Sequence, residues 1–210
     1  MKKTWIFGIL AVVTYLATII VGSFMRPEYK IFIDPVSRIF AKGLPYSNVI
    51  VSLFVLSNIL IVLFALGIIR STKNSMIRAG MVSLILASAI GSILFVFFPM
   101  DPWEGVRTAS DVVHNNIVSL MAILMSLSMI LVYFGSRAEN SWQKLSKYFL
   151  VSAILFLIAG VASGISLQYY WGLIGTFESL WIIIFLQWLT AISLHNYRTN
   201  AVNNRGKIKK

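Results

Sequence analysis

The sequence predicts an all-α, polytopic membrane protein: a bundle of six transmembrane helices with both termini in the cytoplasm. Three observations predict it. Six apolar stretches, at about 5–24, 48–69, 79–98, 112–134, 148–167 and 173–194, take up most of the 210 residues, and a helix needs about 20 such residues to cross roughly 30 Å of hydrocarbon. Charged residues make up 12% of the chain against about 25% in an ordinary soluble domain, and the mean hydropathy is +0.83. The basic residues are also unevenly divided. Lys2, Lys3, Arg70, Lys73, Arg78, Arg137, Lys144, Lys147, Arg198, Arg205, Lys207, Lys209 and Lys210 fall on the side of the termini, whereas Arg26, Lys30, Arg38, Lys42 and Arg107 fall on the other. Cytoplasmic loops carry the excess of Lys and Arg, so a multi-pass protein of the cell membrane with both termini on the cytoplasmic side is expected.

The first span opens on Met1-Lys2-Lys3 and runs apolar to Met25. Its length, and the absence of a small-x-small cleavage signal near Ala17, predict an uncleaved span rather than a signal peptide. The loop that follows holds a candidate interfacial helix at 31–44. Asp34 and Pro35 make a helix start, and Val36, Ile39 and Phe40 share one apolar face. Such a helix rests at the membrane surface or covers an outer pocket. Spans two and three are joined by a short basic turn, Arg70 to Arg78. The third span carries Gly80, Ser83, Ala87 and Gly91 at helical spacing, a small-residue stripe that permits close helix approach.

The loop after the third span leads into Thr108-Ala-Ser-Asp111, which reads as a helix cap with an acid in the first turn. The fifth span contains Gly160-Val-Ala-Ser-Gly164, a GxxxG suited to helix packing and compatible with a homodimer or another membrane-protein partner. Gly175 and Ser179 extend the same theme on the sixth. Tyr169, Tyr170 and Trp171 fit an interfacial aromatic belt. The chain ends in a basic tail, 196–210, read as a topology determinant in contact with anionic lipid. No aromatic-interleaved basic patch accompanies the formal charge of +11, so no nucleic-acid partner is expected; the expected partners are membrane lipids.

The residues able to do chemistry gather at the outer ends of three spans. Asp101 follows the third span, in Phe98-Pro-Met-Asp101. His114 lies in the first turns of the fourth, three residues after Asp111 and so on its face, with Asn115 and Asn116 beside it. Glu178 sits in the second turn of the sixth, in Gly175-Thr-Phe-Glu-Ser-Leu-Trp181. A carboxylate at that depth needs a partner or a proton, and His114 and Arg107 are its candidates. If the sixth helix borders the third and fourth, then Asp101, His114 and Glu178 converge. That set, with Asp111, Arg107 and Asn115, is the candidate ligand-binding site, and Asp101, His114 and Glu178 are candidate ligands of a divalent metal, for which imidazole and carboxylate suit zinc.

Several functions are disfavoured. The chain has no Cys, which removes disulfides and thiolate chemistry. His114 and His195 lie about a membrane thickness apart, so a bis-histidine haem is not expected. No charged residue occupies the middle of a span, no Ser stands in a GxSxG elbow, and no phosphate-binding glycine loop is present. Asn58 and Gln187 are the remaining strong polar groups within spans. They fit interhelical hydrogen bonds or a polar path.

The combination of Phe98-Pro-Met-Asp101, His114 opening the fourth span and Gly175-Thr-Phe-Glu178 opening the sixth resembles a bacterial six-helix membrane family, domain of unknown function 998. The resemblance covers most of the chain. It implies six membrane helices and points to the same polar residues, and it implies no activity. The sequence therefore favours an outward-facing polar pocket for a small ligand, lipid headgroup or metal ion. Its rivals are an intramembrane metal-dependent lipid hydrolase and a small-solute transporter or channel.

Overall fold

Each apolar stretch forms one helix of the computed structural model, which describes residues 3–43, 46–101, 108–169 and 172–208, with side chains to residue 199. The helices are α1 (Thr4–Phe24), α2 (Ser47–Ser71), α3 (Ser75–Phe97), α4 (Ala109–Ala138), α5 (Ser146–Tyr169) and α6 (Ile174–Ile208). No strand occurs among the described residues. All six helices are long and apolar enough to cross a membrane. Most outrun the apolar windows that predict them, because helices end at caps and not at the first polar residue. Asn74 caps α3 by accepting from the amides of Met76 and Ile77, and Thr108 caps α4 by accepting from that of Ser110.

The helices form a closed ring in chain order. Each packs on its sequence neighbours, and α6 returns to pack on α1. Consecutive antiparallel helices usually pack as neighbours, and this arrangement follows that tendency. The condition set above for convergence, that α6 borders α3 and α4, is not met, since its principal neighbours are α5 and α1. The α1–α2, α3–α4 and α5–α6 connections share one end of the bundle, the loop end. There the Lys42 amide donates to the Met100 carbonyl and that of Gly175 to Ile33. The start of α1 and the later part of α6 share the other end, where Trp5 meets Tyr197 edge-on at 4.8 Å. At that end Thr72 also ties the α2–α3 connection to Glu139, at 2.9 Å.

Close contacts in the ring are made where small residues face a neighbour. The stripe of Gly80, Ser83, Ala87 and Gly91 is buried and faces α4: a Cβ on Gly80 would lie 2.9 Å from the Ser128 carbonyl oxygen, and the Ser83 hydroxyl donates to the Leu124 carbonyl at 2.7 Å. On α1, Gly8 abuts Phe64 of α2 and Ser193 of α6. Outward-facing positions are apolar, with Val13, Ile93, Ile123 and Ile158 all more than half exposed. Lipid satisfies such a surface, since the helical backbone is already hydrogen-bonded internally.

The first loop departs from the expected interfacial helix. It forms a five-residue 3-10 turn, Val36–Phe40, and Val36, Ile39 and Phe40 are buried at 4%, 0% and 3% exposure. Their shared apolar face turns into the bundle, where Phe40 packs against Phe54 of α2 and Phe95 of α3. Gly22 of α1 makes room for Ile39. The ring leaves an apolar mouth at its loop end, and this turn plugs it.

Candidate functional site

The plug is held by the first turns of α6. The Gly175 amide donates to the Ile33 carbonyl at 3.3 Å, the Thr176 hydroxyl to that of Phe32 at 2.8 Å, and the Ser179 hydroxyl to that of Ile31 at 3.4 Å. Glu178 accepts from the Val36 amide. Gly175 is required by contact: a Cβ there would lie 2.4 Å from the Asp34 carbonyl oxygen and 2.8 Å from that of Ile31. Inside the loop, Asp34 pairs with Arg38 at 2.8 Å and accepts from the Lys30 amide at 2.8 Å. Arg26 pairs with Glu28 at 3.1 Å and donates to the Arg38 carbonyl. All of Arg26, Asp34 and Arg38 are buried, so the loop neutralises its own charges. Burial, then the Glu178 and Asp34 carboxylates, push the nearby Tyr29 phenol upward.

A second clasp joins the α1–α2 and α3–α4 connections. Asp101 accepts from the Thr108 hydroxyl at 2.6 Å and the Thr108 amide at 2.8 Å, and Lys42 stands at 3.5 Å. The Thr108 hydroxyl and amide, with a smaller contribution from Lys42, hold the Asp101 carboxyl below the usual carboxylate range. His114, 1% exposed, meets the Phe98 carbonyl oxygen through Nδ1 at 2.9 Å and stands edge-on to Phe95. A carbonyl only accepts, so Nδ1 carries the proton, and in the neutral ring Nε2 is an acceptor.

Two cavities adjoin inside the loop end. The central one, about 60 Å³, draws its lining from all six helices and is covered by Val36, Ser37 and Phe40 of the plug. Tyr15, Asn58, Met121 and Phe185 mark its depth. The other, about 120 Å³, lies between α4, α5 and α6 and is bordered by His114, Asn115, Ser119, Ser163, Glu178 and Trp181. Ser37, Val118, Glu178 and Trp181 border both. Buried polar atoms lacking a hydrogen-bond partner among the described residues include His114 Nε2 and Trp181 Nε1. Others, such as the Tyr29 hydroxyl and the Trp188 and His195 ring nitrogens, are scattered, but these two belong to side chains on the wall of one cavity.

Of the residues singled out from sequence, the structure brings His114, Asn115 and Glu178 to one cavity. They meet across the inside of the ring and not through neighbouring helices. Asp101 and Asp111 are buried but border neither cavity. Arg107 lies outside the described residues, as do Tyr170 and Trp171. The expected metal set of Asp101, His114 and Glu178 does not assemble: among the described residues no three His, Asp or Glu side chains are grouped to hold an ion. Each is turned to a different partner, Asp101 to Thr108, His114 to Phe98 and Glu178 to Val36. Gln187 likewise faces α5, donating to Ser152 at 3.0 Å and accepting from Tyr148, whereas Asn58 borders the central cavity. A polar path running through both is thereby interrupted.

Sequence reasoning missed the part played by Trp181 and by the glycines of α5. A Cβ at Gly160 would meet nothing nearer than the Trp181 indole, at 3.8 Å, and one at Gly164 would meet nothing within 4 Å. Both border the second cavity, so within the chain this GxxxG widens a space instead of seating a helix.

A family model described as "Protein of unknown function (DUF998)" matches residues 9–195. No curated protein and no solved structure matches the chain.

Proposed function

The chain belongs to the DUF998 family of proteins of unknown function, and from that premise we propose that it is a binding protein of the cell membrane, holding a small polar ligand or the polar head of a lipid in the cavity bordered by His114, Asn115, Glu178 and Trp181. One observation carries this reading: His114 Nε2 and Trp181 Nε1 are buried without partners on side chains that line the same cavity as a half-buried carboxylate. Buried polar groups are nearly always hydrogen-bonded, and leaving one unsatisfied costs about 1–3 kcal/mol. A guest with both donors and acceptors satisfies them together, as the Asn115 amide can do in either direction.

The orientation belongs to the same proposal. The loop end faces outward and both termini face the cytoplasm, on the strength of the basic residues collected at the terminal end. The cavity then opens toward the outer half of the membrane. A metal-assisted hydrolase has less support, because the acids and the imidazole are engaged separately. Transport has less support because Gln187 is bonded to α5.

Native mass spectrometry of the purified protein, released gently from detergent, tests the binding role. The wild type is expected to carry a bound small molecule or lipid that His114→Ala and Glu178→Gln release while remaining helical. Identical spectra for the three proteins would overturn the proposal.

A further inference from the structure

The second cavity reaches the side of the bundle. Its border includes Ser119 of α4 and Gly164 of α5, both exposed. Open space stands over Gly164, and only the Trp181 indole lies near Gly160. Alongside the exposed polar Asn116 and Ser119, the gap is flanked by outward-facing apolar residues: Leu120, Ile123, Val161 and Ile165 are all exposed. Hydrocarbon covers such a surface in a membrane protein. A guest using the gap between α4 and α5 therefore comes from the bilayer and not from water.

At the inner end stands Glu178. Among the described residues no Lys, Arg or His comes within ion-pair distance of it; Arg26, Arg38 and Lys42 of the first loop pair with Glu28, Asp34 and Asp101, and Lys30 lies exposed. The neutral His114 ring offers a second acceptor at Nε2, and the Trp181 indole offers a donor. The wall thus lacks a cation with N–H groups and, beside it, an acceptor.

Resting on the binding role proposed above, we infer that the cavity admits, sideways between α4 and α5, a phospholipid whose headgroup carries a primary ammonium next to a phosphodiester. The ammonium has three donors, enough for the Glu178 carboxylate, whose oxygens also take the Val36 and Ser37 amides, and for His114. The phosphodiester oxygens accept from the Trp181 indole and the Asn115 amide. The glycerol and first methylenes of the chains leave through the gap that Gly160 and Gly164 keep open, and the chains stay in the leaflet. A trimethylated ammonium has no N–H to donate, and a glycerol headgroup has no positive charge, so both are discriminated against.

The full-length protein is reconstituted into nanodiscs containing equal parts of phosphatidylethanolamine, phosphatidylcholine and phosphatidylglycerol, and retained lipid is read by native mass spectrometry. Phosphatidylethanolamine is expected to be retained over the other two by about tenfold, the scale of one charge-assisted hydrogen bond. Glu178→Gln, which keeps an oxygen for the Val36 amide, is expected to lose that preference. Gly164→Leu fills the gap and is expected to retain little of any lipid; Ser119→Leu, on the facing wall, is the second block should the first variant fold poorly by circular dichroism. Water-soluble glycerophosphoethanolamine is the companion probe. If the wild type binds it yet shows no preference among the three lipids, the polar site stands and sideways lipid entry is overturned. Binding of neither probe sinks both readings. Undiminished phosphatidylethanolamine retention in folded Gly164→Leu and Ser119→Leu removes the gap as the route.

Discussion

Gly175 and Glu178 occupy one turn of α6, and both address the backbone of the first loop. The glycine lets that loop approach, and the carboxylate takes its Val36 amide. Substituting Gly175→Ala places a methyl 2.4 Å from the Asp34 carbonyl oxygen, which the plug relieves only by moving away. Overpacking of this kind costs about 1–3 kcal/mol, and a lowered midpoint of thermal unfolding in detergent is the expected reading. Gly164→Ala, with open space above it, is the control and should leave the midpoint unchanged. The sequence marked Glu178 as exceptional because a charge near a span demands compensation, and the structure supplies that compensation in a form no spacing rule reveals: a main-chain amide 142 residues away. Gly175 and Ser179 illustrate the same limit. Their size signals close approach, but not whether the approaching group is a helix or a loop.

Element boundaries were legible where a cap carries the signal. Thr108 caps α4 as the Thr108-Ala-Ser-Asp111 pattern predicts. Asp34-Pro35 looks equally like a helix start, yet the Asp34 carboxylate is taken by Arg38 and the Lys30 amide. Pro35 occupies the cap position with extended backbone, and only the short 3-10 turn follows. The competing ion pair decided the outcome. At the terminal end, Asn74 has two tasks. It caps α3 through its carbonyl oxygen and donates from its amide to the Gly135 carbonyl of α4 at 3.1 Å. Asn74→Ala removes both and is expected to destabilise the α3–α4 pair by about 1–2 kcal/mol. Asn74→Asp keeps the cap and loses only the donor, so a denaturation series ranking wild type above Asp, and Asp above Ala, is the check.

Across the whole molecule, the number and place of the spans followed from hydropathy alone, whereas their neighbour order did not. Apolar windows are nearly interchangeable, and nothing in a run of Leu and Ile names its partner. The ring placed α6 beside α1, and His114 of α4 and Glu178 of α6 border one cavity inside it. Sidedness is tested most simply here because the chain has no Cys to remove. A single cysteine at Lys30, on the loop end, is expected to react with a membrane-impermeant maleimide on intact cells. One at Lys73, in the α2–α3 connection, is expected to react only after the membrane is opened. The reverse pattern would invert the proposed orientation.

The closed ring has a consequence for how the protein is made. Five of its helix seams join consecutive segments and are available as soon as each new segment enters the bilayer. The sixth, between α1 and α6, joins the earliest of the six segments to the latest of them, and it includes the fit of Gly8 against Ser193. Until translation reaches that point, α1 waits with an unpaired flank, and the nascent protein is an open arc whose plug has no α6 to grip. Arrival of α6 and closure of the ring are therefore one event.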